Sequence, residues 1–121
     1  MQTRKIVSIP TTRTAEAPTV AKRYKVPLYV DVRIRANAPS YGSLGRTIQV
    51  GAELLTRLHN HPIPLDAGLK RGIPGADEKI GMTYKLVPRT IDQIYVLSER
   101  YETIGQVFEA IATILERKYI F

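Results

Sequence analysis

Met82-Thr83-Tyr84-Lys85-Leu86-Val87-Pro88-Arg89-Thr90-Ile91-Asp92-Gln93 opens the stretch that decides the fold, which runs on to Phe121. Residues 82–86 alternate apolar and polar, the period of a half-buried strand. Val87-Pro88-Arg89 closes the strand, because proline has no N–H to give to a central ladder. Thr90-Ile91-Asp92-Gln93 fits a capping box, the threonine hydroxyl accepting from a first-turn amide and the glutamine reaching back. Ile91, Ile94, Tyr95, Ser98 and Tyr101 then recur at helical spacing. Thr103-Ile104-Gly105-Gln106 repeats the T-x-x-Q pattern and predicts a second helix with Val107, Phe108, Ile111, Ile114 and Leu115 on its apolar face. Glu102 and Thr103 are left for the turn.

A strand and two helices of this length cannot cover both apolar helix faces by themselves. The partner is either the rest of the chain or a second copy. We expect a homodimer or higher homo-oligomer, with Ile91, Ile94, Val107, Phe108, Ile111 and Leu115 at the interface. The order strand, helix, tight turn, helix resembles the ribbon-helix-helix family of DNA-binding proteins, and Pro88 stands where that family commonly has proline. The resemblance covers the C-terminal third and implies that two strands pair into an antiparallel ribbon entering the major groove. It nominates Thr83 and Lys85 as base contacts, with Arg89 close to the DNA backbone. Counting back from Pro88, however, puts Leu86, Tyr84 and Met82 outward. Either one extra residue separates strand from helix, or this strand does not read bases. An ordinary βαα unit in an α+β domain is the other reading of the same residues.

N-terminal to this stretch, residues 62–81 hold Pro62, Pro64, Gly68, Gly72, Pro74, Gly75 and Gly81 and read as a connecting loop, with Lys70 and Arg71 available to phosphate. Residues 43–58 predict a helix with Leu44, Ile48, Gly51, Leu55 and Leu58 on one stripe. His59 and His61 end it and, without further ligands, do not make a metal site. Gly42-Ser43-Leu44-Gly45 looks like the G-x-x-G loop of KH domains, which clamp single-stranded RNA. A simpler use of that helix start is to offer amides to a phosphate, helped by Arg46.

Residues 26–35 predict a strand by strict alternation, with Leu28, Val30, Val32 and Ile34 on one face and Tyr29, Asp31, Arg33 and Arg35 on the other. Arg33 and Arg35 are candidate phosphate contacts or guanine readers. Residues 1–25 carry Arg4, Lys5, Arg13, Lys22, Arg23 and Lys25 against Glu16 alone, a basic arm suited to phosphates. The C-terminal third, by contrast, holds equal numbers of acidic and basic side chains.

The net charge of +7 on 121 residues points to an acidic partner. With 44% hydrophobic and 24% charged residues the chain is globular in composition. Cysteine is absent, which excludes disulfides and thiolate chemistry. No apolar run approaches a membrane span and no secretory leader is visible. No repeat, catalytic constellation or cofactor motif is apparent. The expectation is a non-catalytic α+β protein: arm 1–25, strand–helix unit 26–61, loop 62–81, ribbon-helix-helix-like unit 82–121. It would bind double-stranded DNA as a repressor or accessory factor, in the cytoplasm or nucleoid, without a cofactor or a membrane. The alternatives are a single-stranded RNA binder and an adaptor that docks through its apolar helices and Tyr119-Ile120-Phe121.

Overall fold

In the computed structural model, which describes residues 18–58, 63, 75 and 78–117, the strand at Met82 does not wait for a second chain. It belongs to β2, Lys79–Leu86, and pairs antiparallel with β1, Val20–Pro27, of the same chain. The helices follow as α1 (Leu28–Asn37), α2 (Leu44–Arg57), α3 (Pro88–Ser98) and α4 (Ile104–Glu116). The fold is α+β, with one two-stranded antiparallel sheet and four helices among the described residues.

The chain is a βαα unit written twice, contrary to the expectation of no repeat. Adding sixty to a residue number carries the first unit onto the second without a gap. Tyr24-Lys25-Val26 becomes Tyr84-Lys85-Leu86, Ile34 becomes Ile94, Tyr41 becomes Tyr101 and Gly45 becomes Gly105. The helix caps correspond as well: the Ser43 side chain accepts from the amide of Arg46, and that of Thr103 from the amide of Gln106, both at 3.1 Å. The ribbon register obeys the same relation. Arg23 pairs with Thr83, its own counterpart, and Val20↔Leu86 mirrors Val26↔Ile80. An approximate two-fold axis therefore passes through the Arg23–Thr83 pair.

The units interlock. The second helix of each lies on the strand and first helix of the other: α2 on β2 and α3, α4 on β1 and α1. Gly45 allows this, since a Cβ there would run into the Lys85 carbonyl oxygen. Its counterpart Gly105 meets the ring of Pro27 instead, with 3.0 Å from a Cβ to the ring Cδ. The helix α4 is buried on every side from Val107 to Leu115, as its near-uniform apolarity requires. Beneath the ribbon Phe108 sits between the counterparts Tyr24 and Tyr84, with ring centroids 5.0 and 5.5 Å away. Such pairs add about 0.5–1.5 kcal/mol each to the burial itself.

Several expectations change. Residues 26–35 are not a strand: the strand stops at Pro27, and Leu28 onward is helical. Tyr29, Val30, Arg33 and Ile34 are buried, a helical spacing, while Val32 is left 47% exposed. Packing against α4 overrides the strand preference of the valines and isoleucine. The arm boundary at residue 25 and the loop boundary at 81 both cut through strands, because each strand contributes residues that look like punctuation or tail. Helix α3 starts at Pro88, two residues before the proposed cap; Val87 precedes it without a side-chain cap bond. Thr90 thus lies inside the helix, and Gln93 donates across to Glu53 at 2.9 Å rather than back to a cap.

The six residues expected at a subunit interface are covered within one chain. Ile94, Val107, Phe108, Ile111 and Leu115 are essentially inaccessible and Ile91 is half-buried, against elements of the first unit. The first half of the chain supplies the cover that a second copy was expected to give.

Candidate nucleic-acid interface

Alternation along the ribbon sorts its sixteen residues into two faces. Cross-strand partners share a face, so Tyr24, Val26, Tyr84 and Leu86 look into the core while Ala21, Arg23, Lys25, Lys79, Gly81, Thr83 and Lys85 look outward. The extra residue between strand and helix is Val87, and it puts Thr83 and Lys85 on the outer face. Together the strands carry five basic side chains and no carboxylate. On the outer face Lys25 and Lys85 are counterparts across the two-fold axis, and Arg23 faces Thr83 on it. The Arg23 guanidinium extends along the face over Gly81, which has no Cβ to obstruct it.

Two helix N-termini flank this face. The first turn of α2 abuts Lys85 near one end of the ribbon, and the first turn of α4 abuts Pro27 at the other. Free first-turn amides and the helix dipole favour an anion at such a position. Arg46 stands exposed in the first turn of α2 and adds charge there.

The nominated residues do not all gather here. Lys22 is exposed but opposes Tyr84 on the inner side of the ribbon. Arg33 is buried, its Nε and Nη2 donating to Glu116 at 3.0 and 2.7 Å and Nη2 also to Thr113 at 3.2 Å. It is a structural cation, not a surface contact. Arg35 pairs with Asp31 one helical turn away, and Asp31 also accepts from the Tyr84 hydroxyl at 2.9 Å. Arg89 lies 3.4 Å from Glu53 on α2, away from the ribbon face. Arg4, Lys5 and Arg13, with Lys70, Arg71, His59 and His61, lie outside the described residues. Lys79 was hidden in the presumed loop and is found only because β2 begins there. The repeated Tyr-Lys-aliphatic triplet was the available signal that Lys25 belongs with Lys85.

Burial tunes the tyrosines. The Tyr24 hydroxyl is pushed up to about 12 by burial, and Tyr84 rises further through burial and its bond to Asp31. Tyr101, whose oxygen accepts from the Ile63 amide at 3.3 Å, is also raised by burial. Glu53 is lowered, first by the Gln93 hydrogen bond.

Between α2 and α3 a groove of about 200 Å³ is floored by Val96 and Leu97, beside Thr56 and Gln93. The counterpart positions, between α4 and α1, carry Glu116 and Arg33, whose ion pair occupies the corresponding space.

Comparison of the chain with protein-family models, characterised proteins and solved structures found no match. Among the described residues no helix is long and apolar enough to cross a membrane.

Proposed function

We propose that this chain is a non-catalytic duplex-DNA-binding protein, a repressor or accessory factor that lays the outer face of its ribbon in the major groove. The observation that carries the reading is the outward set Arg23, Lys25, Lys79, Thr83 and Lys85, on a ribbon without a carboxylate. Two strands about 5 Å apart fit a groove about 12 Å wide. Arg and Lys reach guanine O6 and N7, and Thr reaches a base edge or a thymine methyl. The N-termini of α2 and α4, at opposite ends of the ribbon, suit phosphates on either side of the groove. On this reading the ribbon-helix-helix resemblance extends to both halves of the chain, with two units taking the place of two subunits.

The test is binding to duplex DNA across a salt series. Affinity should fall with a log–log slope of about −0.9 per phosphate neutralised. Lys25→Ala and Lys85→Ala should lower the ratio of specific to non-specific binding by roughly tenfold each. Arg33→Gln should change binding only as far as it changes folding. Duplex RNA serves as the control, because its deep, narrow major groove excludes a ribbon. Equal affinity for both duplexes, or Lys25 and Lys85 variants that bind like the wild type, would defeat the reading. Tyr95 and Val96, 69% and 49% exposed on α3, favour the adaptor as the second reading. A partner lost on Tyr95→Ser while DNA binding is absent would establish it.

A further inference from the structure

Resting on that DNA reading, we infer that the preferred site is non-palindromic, with its guanines concentrated in one half. A ribbon made by two identical chains must present the same residues on both sides of its axis. This ribbon is made by one chain, and its two halves have diverged where they face outward. The flanking pairs are alike: Lys25 opposes Gly81 on one side, and Lys85 opposes Ala21 on the other. Each side thus offers one lysine beside a residue too small to interfere. The pairs that break the symmetry are Arg23 opposite Thr83 at the centre, and Lys79 opposite Pro27 at one end only.

These departures fall on the same side. The Arg23 guanidinium lies over Gly81, which is the side of Lys25 and Lys79. That half of the outer face therefore gathers three cationic donors. The other half has Lys85, with Thr83 at the centre. At the other end the counterpart of Lys79 is Thr19, which is exposed and carries no charge. Guanine offers two major-groove acceptors, so the donor-rich half favours guanine at adjacent steps, whereas threonine accepts either base type. Because the units are covalently joined, the asymmetry is present in every molecule.

The experiment is selection of binding sites by the full chain from a random duplex pool, followed by affinity measurements on three duplexes. These are the selected site and the two palindromes made by duplicating each of its halves. The expected result is a consensus without two-fold symmetry, bound on the order of tenfold more tightly than either palindrome. Arg23→Thr, which makes the central pair Thr/Thr, should reduce the difference between the selected site and the palindrome of its guanine-poor half. A two-fold symmetric consensus overturns this inference while leaving duplex binding intact, as does duplex binding with no sequence preference. Failure to bind duplex DNA at all overturns both.

Discussion

The guanidinium of Arg33 grips both carboxylate oxygens of Glu116, joining the first helix of one unit to the last helix of the other. The counterparts of these residues are Gln93 and Thr56, and there the inter-unit bond is a neutral donor to Glu53. One half of the molecule thus joins its units through a two-pronged ion pair on a buried arginine, and the other through this neutral bond and the longer pair of Glu53 with the exposed Arg89. Glu116→Thr should cost about 1–3 kcal/mol, the lower part of the range following from the 37% exposure of Glu116. Adding Arg33→Gln, which copies the other half, should recover part of that loss. Additive costs in denaturant unfolding would show that the two side chains are not coupled.

Thr90 carries a buried hydroxyl oxygen with no hydrogen-bond partner among the described residues, and its counterpart in the first unit is Val30. Thr90→Val removes that unpaired oxygen at nearly constant volume. Stability should rise by about 1 kcal/mol. A loss of stability, read from the urea midpoint, would mean that the hydroxyl has a partner after all.

The two interlocking glycines should respond differently. A methyl group at Gly45 meets the Lys85 carbonyl, which is backbone and cannot yield without moving the strand. At Gly105 it meets the Pro27 ring at 3.0 Å, where a small adjustment suffices. Gly45→Ala should cost about 1–3 kcal/mol, and Gly105→Ala clearly less. The reverse order in thermal unfolding would contradict the described contact between α2 and β2.

Because ribbon and core close within one chain, folding should not depend on a second copy. The melting temperature should stay constant over about a hundredfold range of protein concentration. Phe108→Ala, which empties the space between Tyr24 and Tyr84, should lower stability by roughly 3–5 kcal/mol at any concentration. A melting temperature that climbs with concentration would restore the subunit interface.

Alkaline pH should weaken the fold. Burial holds Tyr24 protonated up to about 12 and raises Tyr84 as well, whereas an unfolded tyrosine ionises near about 10. A raised folded value gives stability that is complete below the unfolded value and is lost as pH climbs through the folded one. Unfolding free energy should therefore be level up to about pH 10 and then decline. Tyrosinate absorbance should lag behind that of free tyrosine and catch up as the chain unfolds. Titration of all the tyrosines at the free value without loss of structure would contradict their burial.

Local chemistry determined a large part of this molecule. The strand–helix–helix order after Met82, the Thr103 cap and the amphipathic stripe of α2 are signals that span a few residues, and each was legible in the sequence. So were Thr83 and Lys85 as outward residues, once an extra residue was allowed before Pro88. Tertiary structure decided the rest. Residues 26–35 alternate like a strand, and only the presence of α4 against Val30, Arg33 and Ile34 makes a helix from Leu28 the better way to bury them. Arg23 and Lys25 read as a charged tail until β1 pairs with β2, because strand pairing links residues 52 to 66 positions apart and leaves no local mark. Whether α4 would be covered by a second copy or by the first half of the same chain is likewise a matter of shape. The apolar surface of Phe108 and Ile111 states that cover is needed; only the interlocking of two diverged units states where it comes from.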